Sequence, residues 1–409
     1  MNKVIQVFEH QTLYYGRDYN GVPFTQKQFD ALAELNLLHD NKYFTLVHKG
    51  IKFSQYVGVV QIDTLTIEVL PKADQLSDNT TVWRNVLIQM LRSTRKLKVN
   101  QVGQAHVSKQ NIHLLDIYFD WFLREVETLI RQGLIKKYYK ETKNVAALKG
   151  KLEFAGHISK NLIHKERFYT THQIYDKDHQ VHQILNQALQ IIEQLSKGSY
   201  IYPKCKSVQL DFPEVSEIRC NAATFDKLKL NRKSMPYEKA LEIARLIILN
   251  YAPNISSGSE RMLALLFDMN SLWEEYILIQ LQKAAVNKTY QVTGQQSKSF
   301  WGSMTLRPDI VISQNDETKI IIDTKWKQIE QNKPAIHDLR QMYVYNDHWK
   351  STISILLYPG SGNHNAYYQK FHFPDHSCGI LKISVLDTDG NLDKRIGEKL
   401  LEVLVAARL

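Results

Sequence analysis

The sequence predicts an α+β multidomain protein with an N-terminal β-rich domain, a central helical region and a C-terminal α/β domain. Three observations carry this reading. Before Pro71 the apolar residues come in short, β-branched, partly alternating runs; from Thr81 they recur at three- and four-residue intervals; and beyond NYAPNISSGSE (250–260), rich in Pro, Gly and Ser, helical and strand patterns follow in turn. The 409 residues suffice for two or three domains.

FTLVHKGIKF, QYVGVVQI and LTIEVL read as strands, with Gly50, Gly58 and Asp63-Thr64 as turn residues, and predict a compact sheet or small barrel over 1–75. VWRNVLIQMLRST, LLDIYFDWFLREVETLIRQGLIKKYY, HQVHQILNQALQIIEQLSK and YEKALEIARLIILNY read as helices of a middle region, 76–255, interrupted by loops at Pro203 and Pro213. Their clustered aromatics, such as Tyr118, Phe119, Trp121 and Phe122, are core residues. The remaining 256–409 reads as helix (261–285), strand hairpin (303–326), helix (335–345), strand (352–358) and further strands near 367–373 and 380–385.

A hydrophobic content of 44% and a charged content of 23% describe an ordinary globular chain. MNKVIQVFEH has neither the basic start nor the apolar core of a signal peptide, and no apolar run reaches the length of a bilayer, so a cytoplasmic protein without membrane contact is expected. Cys205, Cys220 and Cys378 form no CxxC pair and the histidines have no zinc spacing, which indicates neither a disulfide framework nor a zinc site. Lys and Arg (52) exceed Asp and Glu (42), for a net charge of +10, with clusters at RSTRKLK (92–98), KKYYKETK (136–143) and KNLIHKERF (160–168). Such an excess suits a polyanionic partner, most often nucleic acid, although a solvated basic surface has the same composition.

The chemistry concentrates in LRPDIVISQNDETKIIIDTKWK (306–327). Alternate residues of a strand share a face, so Asp323 and Lys325 point one way and Thr324 the other. Two charges at the end of the apolar run KIII cost several kcal/mol unless paired or bound to a metal. Pairing IVIS with KIII around SQNDET brings Asp309 beside Asp323, and a divalent cation would resolve the repulsion of the two carboxylates. An oxygen-only pair suits Mg²⁺ or Mn²⁺. Lys325 would then stand where it can orient or deprotonate a water and stabilise negative charge on a phosphate. In SLWEEYILIQLQ, Glu274 shares a side with Ile277, Leu278 and Leu281 and is the choice for a third carboxylate, whereas Glu275 shares its side with Gln282. In HDLRQMYVYNDHW, Asp338, Gln341 and Tyr345 fall on one helical stripe that either faces the site or is solvated. A DxK triplet alone is a weak signal, since a surface ion pair looks the same.

Pro308-Asp309 with Asp323-Thr324-Lys325 resembles the signature of the PD-(D/E)xK nuclease superfamily, and Gln341-x-x-x-Tyr345 is similar to the QxxxY element of its RecB-like members. Upstream, YVGVVQIDTLTIEVLPK (56–72), ALKGKLEFAGHISKN (147–161), YDKDHQVHQILNQAL, YEKALEIARLIIL and MNSLWEEYI resemble, in order, the segments of the McrC family, nuclease subunits of modified-cytosine-dependent McrBC restriction systems. The resemblance covers nearly the whole chain. It implies a C-terminal PD-(D/E)xK endonuclease domain with Asp309, Asp323 and Lys325 at its centre, Asp309 and Asp323 as metal residues, and Glu274 and Gln341 flanking them. It further implies double-stranded, modified DNA as substrate and a hexameric McrB-like AAA+ GTPase as partner, contacted by the amino-terminal region. No GxxxxGK[ST] loop occurs, so GTP would belong to that partner. The chain departs from the family where Gln180 and His182 stand in place of the proline and asparagine of a DxPxN-like segment. Two other readings remain open on the residues alone: a non-cutting regulatory or DNA-binding subunit of an AAA+ complex, and a stand-alone repair nuclease.

Overall fold

The computed structural model describes residues 3–73, 79–94, 114–253, 261–315, 317–329, 332–360, 367–372 and 375–406. Most of the basic cluster at 92–98 and of the stretch at 250–260 therefore lies outside the described residues.

The amino-terminal part is built from β1 (Lys3–Phe8), β2 (Thr12–Tyr14), β3 (Arg17–Tyr19), β4 (Val22–Phe24), helix α1 (Gln26–Leu38), β5 (Phe44–Val47), β6 (Gly50–Phe53), β7 (Tyr56–Ile62) and β8 (Leu65–Leu70). β8 is buried along its length and pairs with β1 in parallel and with β7 antiparallel. Its one charge, Glu68, accepts a hydrogen bond from Gln6 (2.9 Å) and meets Arg84 (3.2 Å). That pairing offsets the cost of burying a carboxylate. Helix α1 stands among the strands of a region expected to be β-rich. Thr25 and Gln28 cap it reciprocally, a signal present in the sequence as T-x-x-Q.

Helix α2 (Thr80–Ser93), capped by Asn79, leads to a helical middle: α3 (Leu114–Gln132), α4 (Phe154–Asn161), α5 (Gln180–Leu195), α6 (Ile201–Asp211), α7 (Ala222–Asp226) and α8 (Glu238–Leu249). Here too the structure adds strands. α3 ends at Gln132 because Gly133 takes φ +89°, and the residues after it, expected to continue the helix, form β9 (Lys137–Val145). β9 pairs with β11 (Phe168–Asp176), which also carries the short β10 (Lys151–Leu152). His182 sits in the first turn of α5, fully buried, held between Lys177 O (2.7 Å) and Tyr237 Oη (3.1 Å). The departure at this position is thus accommodated by two hydrogen bonds.

After β12 (Tyr251–Pro253), residues Arg261–Asp268 form strand β13, where the sequence suggested the start of a helix over 261–285. MLALLF is a continuous apolar run, and periodicity cannot separate a buried strand from a buried helix there. The helix α9 (Met269–Ala284) starts only where Asp268 accepts from the Ser271 N–H. Then come β14 (Gln291–Gly294), β15 (Lys298–Trp301), β16 (Met304–Leu306), β17 (Ile310–Gln314), β18 (Glu317–Thr324), α10 (Ile336–Trp349), β19 (Ile353–Pro359), β20 (Tyr367–Lys370), β21 (Ser377–Ile383) and α11 (Ile396–Ala406). Six of these strands make one sheet in the order β14-β17-β18-β19-β21-β20, with β18, β19 and β21 parallel.

By packing, the chain divides into two compact units. Of the described residues, those within 114–253 and 261–265 make one; those within 3–94 and 266–406 make the other. The amino-terminal strands and the carboxy-terminal sheet thus belong to one unit, whereas the sequence suggested separate domains bounded near 75 and 255. Two polar contacts join them: Trp326 Nε1 donates to Glu9 Oε1 (2.7 Å) in a buried position, and the exposed Gln328 donates through Nε2 to Ala73 O (2.6 Å). No helix among the described residues is long and apolar enough to cross a membrane.

Candidate active site

The site lies at one end of the six-stranded sheet. β17 and β18 pair antiparallel with Ile310 opposite Ile322, which sets Asp309 and Asp323 at the same end of the hairpin, as the sequence suggested. Apolar side chains fix this geometry: Val311 and Ile321 pack with Met342, Tyr345 and Trp349 of α10 and with Leu356 and Tyr358 of β19. On the opposite side α9 comes close to β14, where Gly294 leaves room for Leu278 that a Cβ would fill.

Asp323 is buried, and each of its carboxylate oxygens has a neighbour. Lys325 Nζ lies 2.6 Å from Oδ2, and Gln341 Nε2 donates to Oδ1 (3.1 Å). Gln341 also accepts from Lys325 (3.3 Å) and donates to Tyr345 Oη (2.9 Å). Tyr345 in turn donates to Arg307 O (3.1 Å), which ties α10 to the strand that carries Asp309. The stripe Asp338, Gln341, Tyr345 thus faces the site. Asp338 is 1% exposed and receives Lys327 (2.7 Å), His337 (3.0 Å) and, at 3.7 Å, Lys325.

Thr324, whose side chain alternation turns away from Asp323 and Lys325, gives both its N–H (2.7 Å) and its hydroxyl (3.0 Å) to Asp309 Oδ2. Glu274 is half-buried on α9; Gln295 Nε2 donates to its Oε1 (2.8 Å) while the Gln295 N–H donates to Asp309 O (3.0 Å). Gln295 and Lys327 went unseen in the sequence, which offered only residue type and spacing for them, and Thr324 was read there only as facing away from Asp323 and Lys325.

Burial, then the charge of Asp323, pushes the Asp309 carboxyl up, against the two Thr324 hydrogen bonds that pull it down. Burial likewise raises Asp323, opposed by Lys325, and raises Glu274, aided by Asp309. Burial alone would lower Lys325, but Asp323, Asp338 and Asp309 outweigh it and hold the ammonium above its ordinary value. Lys325 is a fixed cation among crowded carboxylates.

Two basic clusters converge elsewhere. KKYYKETK lies on β9 and KNLIHKERF on α4 and β11, with Tyr138 and Tyr175 stacked at 4.3 Å, Lys136 over Tyr175 (5.6 Å) and Lys160 over Tyr169 (4.0 Å).

Known proteins share this fold. A chain in the refined half-complex from the tetradecameric assembly of Thermococcus gammatolerans McrB AAA+ hexamers with bound McrC superposes with a TM-score of 0.74, covering 99% of this chain and all of that one at 18% identity. A chain of the Thermococcus gammatolerans McrBC complex gives 0.51 over 69% of this chain and 88% of its own length, also at 18% identity. These likenesses concern the fold. Escherichia coli K12 has a type IV methyl-directed restriction enzyme, EcoKMcrBC, that is 24% identical over 228 residues; the match spans 52% of this chain and 64% of that enzyme. The model of the McrBC 5-methylcytosine restriction system component family matches residues 51–359, a span that includes Glu274, Asp309, Asp323, Lys325 and Gln341. With three quarters of its length under that match, the chain belongs to the McrBC family of restriction system components, and its mixed α/β fold is McrC-like.

Proposed function

We propose that this chain is the endonuclease subunit of a McrBC-like restriction system, a PD-(D/E)xK enzyme that hydrolyses phosphodiester bonds of double-stranded, modified DNA together with a McrB-like AAA+ GTPase hexamer. The observation that carries the reading is the placement of Asp309 and Asp323 at one end of a buried hairpin with Lys325 2.6 Å from Asp323 and Gln341 bridging the two. Crowding carboxylates at the end of an apolar sheet weakens the fold, and a site for a cation and a phosphate gives a reason for it.

The residues fit Mg²⁺ or Mn²⁺. Asp309 and Asp323 offer carboxylate oxygens side by side, and hard oxygen donors suit these ions. Among the described residues no three His, Cys, Asp or Glu side chains make a ready-formed metal cluster, so Asp309 and Asp323 would hold the ion with water and phosphate oxygens completing its shell. When bound, the ion supplies charge neutralisation and a more acidic water. The chain's own residues do the rest. Lys325, 2.6 Å from Asp323, stabilises charge building on the phosphate and orients or deprotonates the water. Gln341 fixes the Lys325 and Asp323 side chains, and Thr324 fixes Asp309. GTP belongs to the partner.

The test is cleavage of methylated and unmethylated plasmid DNA by the chain with and without the AAA+ protein, GTP and Mg²⁺, with Asp323→Ala as control. Cutting that requires partner, GTP and Asp323 is expected. Cutting without the partner would make the chain a stand-alone nuclease. Stimulated GTP hydrolysis without any cutting would make it a regulatory subunit.

A further inference from the structure

A DNA substrate must be seated as well as cut, and a surface suited to seating it stands beside Asp309. β15 and β16 form a two-stranded ribbon whose turn, Gly302-Ser303, lies between the paired Trp301 and Met304. Gly302 adopts φ +56°, as the first position of a tight two-residue hairpin requires. From Gln295 to Arg307 the sequence QQSKSFWGSMTLR holds two cations and no acid. Its large apolar residues point into solvent: Trp301 is 73% exposed, Met304 61% and Phe300 55%. An isolated two-stranded ribbon gains nothing from such a display, and an exposed apolar cluster of this kind marks an interaction surface.

The base of the ribbon is fixed to the site while its tip is bare. At one foot the Gln295 N–H donates to Asp309 O and its side chain to Glu274; at the other, Arg307 O accepts from Tyr345. The flank leans on the end of α10, with His348 3.0 Å from Ser299 O and Lys298 Nζ 4.7 Å above the Trp349 ring. The ribbon's feet are thus the residues that frame the carboxylate pair, and its direction is set by them.

We propose that the Lys298–Leu306 ribbon enters a groove of duplex DNA, with Trp301 and Met304 against the bases, and so registers the phosphodiester at Asp309. The proposal rests on the reading of DNA as substrate. The major groove, about 12 Å wide, admits a two-stranded β-ribbon, and apolar side chains contact base edges or wedge between base steps. Lys298 and Arg307, with no acid between them, suit the flanking phosphates.

The experiment measures the affinity of the full-length chain for a fluorescent duplex by anisotropy, in EDTA and over a range of salt, for the native sequence, Trp301→Ala and the Phe300→Ala/Trp301→Ala double variant. Both substitutions are at exposed positions, so an unchanged melting curve is the control for folding. The expected result is a Kd raised about 5- to 100-fold, the range for lost contacts between bases and aromatic rings, with an unchanged salt slope because no cation has been removed. A native-like Kd in both variants overturns the proposal. So does a native chain that binds no duplex, or a change confined to self-association in sedimentation, which would make a second copy of the chain the occupant. Because binding is read without divalent cation, a ribbon-dependent Kd in a chain that never cuts would leave this inference standing and remove the nuclease reading alone.

Discussion

The segment from Asp323 to Gln328 runs between two polar environments and serves them with alternate side chains. Lys325 and Lys327 turn to the candidate site, where they meet Asp323 and Asp338; Trp326 and Gln328 turn to the amino-terminal strands, where they meet Glu9 and Ala73 O. Both sides bury a carboxylate, yet they resolve its cost in different ways. Glu9 is a single acid whose Oε1 accepts two N–H groups, from Trp326 (2.7 Å) and Lys72 (2.9 Å), and burial pushes it up to about 7, so that it is readily neutralised. The site instead gathers Asp309, Asp323, Asp338 and Glu274 around Lys325 and Lys327. One arrangement minimises buried charge and the other accumulates it. Accumulation without matching is costly to a fold and useful to a site that binds cations and phosphates.

The largest effect that would sharpen this contrast is expected at Lys325. Replacing it by Gln removes the cation but keeps a polar side chain of similar reach, so the cleavage rate should fall about 10²- to 10³-fold, the scale for losing one charge-stabilising donor. Binding of the partner should persist. The measurement is single-turnover cleavage beside partner co-sedimentation; a rate within a fewfold of the native one would remove Lys325 from the chemistry and make the two faces of the segment equivalent.

Glu9 gives the second test, in stability rather than rate. Its carboxyl titrates near 7 in the fold and near 4.5 when unfolded, so the folded state binds the extra proton between those values. Stability attributable to Glu9 is therefore full below about pH 4.5 and declines as pH rises through 7, by on the order of 3 kcal/mol. In denaturant titrations from pH 5 to 8, Glu9→Gln should flatten that decline, since Gln imitates the protonated acid and still accepts from Trp326. An unaltered slope in the variant would show that Glu9 does not govern it.

Both faces were unequally legible in the sequence. The pairing of Asp309 with Asp323 could be read because a hairpin's register follows from a polar turn between apolar runs, and the stripe of α10 could be read because helical spacing is fixed. Whether that stripe faced a site or solvent depended on β17 and β19 behind it, which spacing does not encode. Glu9 gave no signal, since its partner is more than three hundred residues away. The ribbon at Lys298–Leu306 was different: FWGSMT has the Gly-X turn of a two-residue hairpin, and its signal was present but overshadowed by the carboxylates that follow. The extra helix α1 and the strands β9 and β13 show the same limit, because capping and apolar continuity decide such segments more than periodicity does.

The smallest expected effect lies at Tyr345, where the two sides of the site are tied together. Its hydroxyl accepts from Gln341 and donates to Arg307 O, so it links the helix that positions Lys325 to the strand that positions Asp309 and to the foot of the ribbon. Tyr345→Phe keeps the ring, which packs in the core with Met342 and Trp349, and removes only that link. The loss of a net hydrogen bond is worth about 1 kcal/mol, so cleavage should slow by roughly fivefold or less. The informative quantity is its division. If Tyr345 aligns Gln341 and Lys325, kcat falls with KM unchanged; if it serves the ribbon's foot, KM for DNA rises with kcat unchanged. A change in melting temperature with neither kinetic constant altered would reduce Tyr345 to packing and break the connection between the catalytic face and the DNA-seating face.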